Sequence, residues 1–195
     1  MTQNMKEYVM QILSAEKKAN AMQKQAKEMK ELATRDALTG VGNKTAYDKE
    51  LIKLNWGLGN GMQGSFGIAM IDLNYLKKLN DTYGHEQGNL AIQKLSALIC
   101  EIFDHSPVFR IGGDEFVVVL KGNDYKHCED LVAKFKKQLA EYAADDSLKP
   151  WEKVSAAIGT AFYDKALDSD ADSVFKRADE EMYLCKKQMK AMQED

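Results

Sequence analysis

Two stretches of this chain combine acidic side chains with backbone patterns that could do chemistry. One is Asp72, which ends the apolar run Phe66-Gly67-Ile68-Ala69-Met70-Ile71. The other is Arg110-Ile111-Gly112-Gly113-Asp114-Glu115-Phe116, a Gly-Gly pair between the short apolar runs Val108 to Ile111 and Phe116 to Leu120. A glycine pair between strand-like runs predicts a tight β-hairpin with Asp114 and Glu115 on its tip. Taken alone, such a hairpin is an ordinary solvent-facing turn. A carboxylate at the end of a buried strand needs a partner. If the strand and the hairpin lie side by side, Asp72 and Asp114 converge and can share a cation. Hard oxygen ligands with room for water and phosphate suit Mg²⁺ or Mn²⁺ better than zinc. The backbone after Asp72 turns into a helix, so free N–H groups around Leu73 to Leu76 favour an anion at the same point, and Lys77, Lys186 and Lys190 add positive charge. Acid-bound metal beside a helix N-terminus and lysines is equipment for phosphoryl or nucleotidyl transfer.

The elements that position these groups can be read along the chain. Asn4 to Ala33 contains no Gly or Pro and is rich in good helix formers, which predicts one long helix. Tyr8, Ile12, Ala15, Ala19, Met22, Ala26, Met29 and Ala33 repeat at coiled-coil spacing, a seam narrow enough to point to self-association and alanine-rich enough to make the pairing weak. Turn formers and caps from Thr34 to Asn43 end that helix, and another begins near Asn43 or Lys44. The segment Gly57 to Gly64 holds four glycines in eight residues. It follows a helix and leads into a strand, the reverse of a phosphate-cradling loop, so it reads as a flexible connection. From Phe66 the order is strand, helical segment (Leu73 to Leu79 and then a second helix), hairpin, helix (Asp124 to Tyr142), strand (Val154 to Tyr163), helix (Ser173 to Lys190). This βαββαβ core predicts an α+β, ferredoxin-like domain, an antiparallel sheet with helices covering one face. The domain division expected is a helix over 1–33 and a catalytic domain over 34–195.

Composition narrows the partners. With 195 residues, 27 basic and 30 acidic, the chain has a formal net charge of -3 and no basic footprint for nucleic acid or a membrane surface. No stretch approaches the roughly 18 apolar residues of a membrane span, and Met1 is followed by polar residues, so the chain as given reads as cytoplasmic. Cys100, Cys128 and Cys185 lie far apart in helix-like patterns and read as buried thiols in a reducing compartment. A helix leading straight into a domain also suits a fragment of a longer receptor with an upstream sensor domain.

Four segments together resemble, in order and spacing, the GGDEF diguanylate cyclase family. They are Arg35-Asp36-Ala37-Leu38-Thr39-Gly40, the run Asp72 to His85 (DLNYLKKLNDTYGH), Arg110 to Phe116, and Ala178-Asp179-Glu180-Glu181-Met182-Tyr183-Leu184-Cys185-Lys186. The resemblance spans roughly Thr34 to Lys190. It implies a nucleotide-cyclase palm that condenses two GTP into cyclic di-GMP and pyrophosphate, each GTP held by one subunit of a homodimer paired through the N-terminal helix and across the active sites. It makes Asp72, Asp114, Glu115 and the Leu73 carbonyl the ligands of Mg²⁺ (or Mn²⁺). Asp114, Glu115, Asp72 and Lys77 become the catalytic set, with Glu115 handling the 3′-hydroxyl. Asn80 and Asn89 fall at the guanine. Amides at Tyr75 and Leu76, with Lys77, Lys186 and Lys190, fall at the triphosphate, beside Arg110, Gly112 and Gly113 of the hairpin. Tyr83, Gly84 and His85 read as structural, and Arg35, Asp36 and Asn43 as linkage.

The sequence departs from the family pattern in three places. Asn89 stands where an aspartate usually accepts two guanine hydrogens. An amide accepts one, leaving a polar group poorly paired at a cost of roughly 1–3 kcal/mol. Phe103-Asp104-His105-Ser106 occupies the place of an Arg-x-x-Asp product-inhibition pair, which predicts no product binding there. Met189-Lys190 replaces a frequent Gly-Arg, and lysine lacks the planar fork that grips phosphate. Two alternatives therefore stay open beside the cyclase: a weak or inactive GGDEF domain serving as a nucleotide-binding or dimerisation module, and a cyclase of relaxed base specificity making cyclic GMP-AMP.

Overall fold

The computed structural model describes residues 3–61 and 65–194. Of the glycine-rich connection expected after the second helix, Met62, Gln63 and Gly64 lie outside the described residues. By its contacts the chain divides into two units, Met1–Arg35 and Asp36–Asp195.

The first unit is dominated by α1 (Gln3–Leu32), closed at its C-terminal end by the Thr34 hydroxyl, which donates to the Lys30 carbonyl at 2.8 Å. Its large apolar side chains are uncovered within the unit: Tyr8, Ile12, Met22 and Met29 are all exposed.

The second unit is built around β2 (Gly67–Leu73), every residue of which is buried. Along the chain it comprises β1 (Gly42–Asn43), α2 (Lys44–Gly59), β2, α3 (Leu76–Tyr83), α4 (His85–Ile102), β3 (Val108–Arg110), β4 (Glu115–Leu120), α5 (Gly122–Lys126), α6 (Cys128–Ala144), β5 (Ala156–Phe162) and α7 (Ala171–Glu194). The sheet order is β1-β3-β4-β2-β5. The four strands β5-β2-β4-β3 are mutually antiparallel and form the ferredoxin-like core expected from the sequence. A two-residue strand, β1, adds to the edge in parallel with β3 and makes the sheet mixed. It was not read from the sequence because two residues carry no periodicity.

Helices cover both faces of the sheet, where one covered face was expected. Ala69, Ile71 and Leu73 pack with Leu95 and Ile99 of α4 and Phe135 of α6. Ile68 and Met70 pack instead with Tyr47 of α2 and with Val174, Ala178 and Met182 of α7. The reason was visible in β2: a strand solvated on one side alternates, whereas this run is apolar throughout. The single helix expected from Asp124 breaks at His127 into α5 and α6. Asn43 caps α2 by accepting the Ala46 N–H at 3.1 Å. The cysteines also differ from expectation, because Cys100 is exposed on α4 while Cys128 is buried. Burial pushes the Cys128 thiol up to about 11, so it is inert.

Candidate active site

Alternation along the strands decides which acids meet. Side chains of a strand point to opposite faces in turn, so Asp72 shares the α7 side of the sheet with Ile68 and Met70. In the antiparallel pairing of β2 and β4, Asp72 lies directly opposite Glu115, which shares its face with Val117 and Val119. On α7, Asp179 and Lys186 are seven residues apart, two helical turns, and so face the same way. Lys186 Nζ donates to Asp72 Oδ1 at 2.5 Å. The hairpin is stitched to β2 as well, since the Leu73 N–H donates to the Asp114 carbonyl at 3.0 Å.

These groups are electrostatically out of balance. Burial raises the Asp72 pKa, Asp114 and Asp179 push it further up, and the hydrogen bond and charge of Lys186 only partly oppose them. The Glu115 pKa is also raised, first by burial and then by Asp114, Asp72 and Asp179. Four carboxylates thus act on one another with a single lysine among them. Among the described residues, the ligand oxygens of Asp72, Asp114 and Glu115 do not gather within 4.8 Å of one another. Like charges stand apart, and Lys186 is what touches Asp72. Directly opposed strand residues have Cβ atoms only about 5 Å apart, so side-chain rotation is enough to bring the Asp72 and Glu115 carboxylates together. Hard oxygen donors with excess negative charge fit a divalent cation.

A cleft of about 500 Å³ adjoins the acids, lined by Leu73 to Lys78 together with Asp114, Lys186 and Lys190. It therefore brings together Leu73, Tyr75, Leu76, Lys77, Asp114, Lys186 and Lys190 of the residues singled out in the sequence. Tyr75 adopts a left-handed conformation (φ 61°) as the N-cap of α3, a strain that bulky residues rarely accept and that bends the chain sharply out of β2. The free amides expected from Leu73 onward begin later: Leu73 N–H goes to Asp114, and Asn74 N–H donates to the Ser155 carbonyl at 2.8 Å. The sheet extends further than the sequence suggested, through Leu73. The first-turn N–H groups of α3, from Leu76, lack acceptors within the helix and point toward the cleft end of its axis.

Asn80 and Asn89 do not line the cleft; Asn80 sits at the contact between α3 and α4. A Cβ on Gly88 would come within 1.8 Å of Asn80 Oδ1, so glycine leaves the room that the Asn80 side chain occupies. Asn80 Oδ1 is buried without a hydrogen-bond partner, and Asn89, the next residue after Gly88, is exposed. Arg110 clamps the hairpin. Its Nη1 donates to Asp36 Oδ1 and Oδ2 at 3.1 and 3.2 Å, and its Nη2 donates to the Gly113 carbonyl at 2.7 Å. Gly112 makes room for Glu115, whose Oε2 would lie 2.3 Å from a Cβ at that position. A larger cavity, about 680 Å³, lies by Phe162 and Tyr163. Its cations are Lys165 and Arg177, and Arg177 is already held by Asp168 and the Phe162 carbonyl.

Three positions were passed over in the sequence reading. Asp36 reads as linkage in the sequence, yet it holds Arg110 and also accepts from the Thr39 hydroxyl at 2.7 Å. Asp179 could have been found from its seven-residue spacing to Lys186. Asn74 could not: it is buried against Ser155 and the Met189 sulfur, partners far away in sequence. For Asp36, burial raises the pKa but hydrogen bonds from Thr39 and Arg110 outweigh it, and the net shift is downward. Asp36→Asn is expected to cost about 1–2 kcal/mol at neutral pH. A lowered folded-state pKa means that this advantage is present above the ordinary carboxylate range and lost as pH falls through the lowered value. Urea denaturation of both proteins at several pH values checks it, and a pH-independent difference would refute the charge pairing.

Comparisons with known proteins identify the family. A sequence model described as "Diguanylate cyclase, GGDEF domain" matches residues 33–192. The diguanylate cyclase DgcS of Shewanella oneidensis is 34% identical over 171 residues, covering 86% of this chain and 53% of that protein. An uncharacterized membrane protein of Staphylococcus haemolyticus, SH2145, is 26% identical over 152 residues, 77% of this chain and 42% of that one. The chain thus spans about half the length of the curated relatives it matches. In fold it is similar to the coiled coil and GGDEF domain of DgcB from Caulobacter crescentus, with a TM-score of 0.74 at 20% identity, covering 93% of this chain and 95% of that one. By the extent of the family match and the identity to DgcS, the chain belongs to the GGDEF-domain diguanylate cyclase family.

Proposed function

We propose that the chain is a Mg²⁺-dependent diguanylate cyclase that joins two GTP into cyclic di-GMP, releasing two pyrophosphates. The observation that carries this reading is the Lys186–Asp72 contact beside Glu115 and Asp114 at the mouth of the lysine-lined cleft. Asp72, Asp114, Glu115 and the Leu73 carbonyl would hold the cation, which would supply charge neutralisation at the phosphates. Lys77, Lys186, Lys190 and the first-turn amides of α3 hold and orient the triphosphate. Glu115, opposite Asp72 in the β2–β4 pairing, receives the proton of the 3′-hydroxyl as the new ester bond forms and pyrophosphate leaves. Asn80 Oδ1 is buried against Gly88 without a donor, and rotation of its side chain would present that acceptor to the N–H edge of guanine. One domain holds one GTP, so turnover needs two domains face to face. The uncovered seam of α1 supplies the pairing, with a further sensor domain upstream as the source of its signal.

Incubation with GTP and Mg²⁺ followed by product identification tests this. Cyclic di-GMP and pyrophosphate are expected in a 1:2 ratio. Nucleotide binding without product would assign the chain to the binding-module alternative instead. Product inhibition through the Phe103–Ser106 segment is not expected. Phe103 is fully buried, and the Ser106 hydroxyl accepts the Lys121 N–H at 3.2 Å.

A second reading concerns the base. Asn89 lies one residue from the glycine against which Asn80 packs, and an amide there matches adenine's donor and acceptor as well as part of guanine's edge. Asn89→Asp is expected to raise the preference for GTP over ATP by roughly 10- to 100-fold. Competition of both nucleotides with product analysis measures it; an unchanged ratio would mean that residue 89 does not touch the base.

A further inference from the structure

Outside the cleft, among the described residues, one cluster of metal-ligating side chains is drawn together. Asp104, His105 and Asp124 each present a ligand atom, and these atoms all lie within 4.8 Å of one another. Asp104 and His105 lie in the connection from α4 to β3, and Asp124 lies in α5 just after β4. These are the ends of the hairpin strands away from the Gly112-Gly113 turn. The six residues of β4, at about 3.3 Å each, put this cluster roughly 20 Å from Asp114.

We propose that Asp104, His105 and Asp124 form a second metal site, selective for a divalent transition ion of the Zn²⁺ type. The plain alternative is a histidine hydrogen-bonded to acids, and the geometry disfavours it. Both carboxylates face the same ring nitrogen, Nδ1: Asp104 Oδ1 in direct contact and Asp124 Oδ1 at 3.3 Å. One imidazole nitrogen can direct one proton or one lone pair, so it satisfies one acceptor well and leaves the other facing it. A metal ion satisfies all three at once. In a tetrahedral site with ligands about 2.1 Å from the ion, neighbouring ligand atoms are about 3.4 Å apart, close to the separation between His105 and Asp124, while the exposed Asp104 carboxylate, now in direct contact with the same nitrogen, swings out by about 1 Å to admit the ion.

Asp124 gives the site its anchor. Its side chain is only 2% exposed, and its other oxygen accepts the His105 N–H at 3.1 Å, aiming the carboxylate into the cluster. Lys121, on the same connection, is committed to Glu50. The two connections are also joined by Lys121 N–H to Ser106 and by Val119 N–H to the Pro107 carbonyl, so the ligands are held on a fixed frame. His105 and Asp104 are 57% and 62% exposed, which leaves a path for entry and a position for water. An imidazole ligand excludes Mg²⁺ and Ca²⁺, which take oxygen, and so separates this site from the catalytic acids.

The test is titration of the Mg²⁺-saturated protein with Co²⁺ as a probe, followed by visible absorption and calorimetry, then Zn²⁺ displacement. One Co²⁺ per chain is expected, displaced by Zn²⁺. His105→Ala and Asp104→Asn, both at exposed positions, should weaken binding by roughly 100-fold or more, since losing a ligand costs at least as much as losing the group that orients one. His127→Ala, at another exposed histidine, should bind as the wild type does. Circular dichroism melts confirm that the variants are folded. Absence of Co²⁺ binding, binding unaltered in His105→Ala, or equal loss in His127→Ala would each overturn the proposal.

Discussion

Replacing Asp114 by Asn is expected to lower cyclic di-GMP formation by roughly 10³-fold or more while leaving the domain folded. The two effects separate because the side chain and backbone of Asp114 do different jobs. Its carbonyl accepts the Leu73 N–H at 3.0 Å and closes the hairpin onto β2, and that bond survives in the variant. Its carboxylate contributes repulsion, since Asp114 is among the charges that raise the pKa values of Asp72 and Glu115. Those two groups bind protons more tightly in the native state than in the unfolded chain. Their contribution to stability is therefore fully present in acid, below the ordinary carboxylate range, and is lost as pH rises through the raised folded values. Asp114→Asn makes that loss smaller. Its melting temperature should match the wild type in acid and equal or exceed it as pH rises. A variant that is inactive but clearly less stable at neutral pH would show that Asp114 is a structural residue, and one retaining most of its activity would remove it from the site.

The largest expected loss of stability comes from a smaller change, Gly159→Ala. Gly159 sits in β5 opposite Met70, beneath α7. A Cβ there would lie 2.1 Å from Met182 N, 2.4 Å from the Ala178 carbonyl oxygen and 2.7 Å from Glu181 C. All three are backbone atoms of one helix, so no rotamer change relieves the contact and α7 has to lift. A cost of about 3 kcal/mol follows, equivalent to a drop of about 6–12 °C in melting temperature for a domain of this size. Because α7 carries Lys186, the displacement also pulls the lysine from Asp72, and activity should fall in the fraction that remains folded. Gly113→Ala is the matched control: nothing lies within 4 Å of a Cβ at that position. Thermal melts of the pair decide the point, and equal melting temperatures would mean that α7 is not closely seated.

The element order and the ferredoxin-like core could be read from the sequence because they rest on short-range patterns. Apolar runs bounded by glycine, helix caps and 3.6-residue periodicity all lie within a few residues of one another. The acids were legible for the same reason. Asp72 interrupts an apolar run at its end, and the glycine pair presents Asp114 and Glu115 on a turn. The covering of both sheet faces was legible in principle, since β2 never alternates, but the expectation of one covered face overrode it. The break at His127 was not, because α5 and α6 share a single apolar stripe in the sequence.

By itself, the sequence determined which chemical groups the site contains, because side-chain type and strand or helix position are local properties. Only the tertiary structure decided what those groups touch. Lys186 meets Asp72 across 114 residues, Arg110 meets Asp36 across 74, and Asn74 meets Met189 across 115. No local pattern encodes such a contact, since it depends on how far α7 lies over the sheet and on how β2 and β4 register. The same holds for charge. Asp72, Asp114, Glu115 and Asp179 are unremarkable acids along the chain, and only the packing of α7, which carries Asp179, against β2 and the hairpin raises the proton affinities of Asp72 and Glu115.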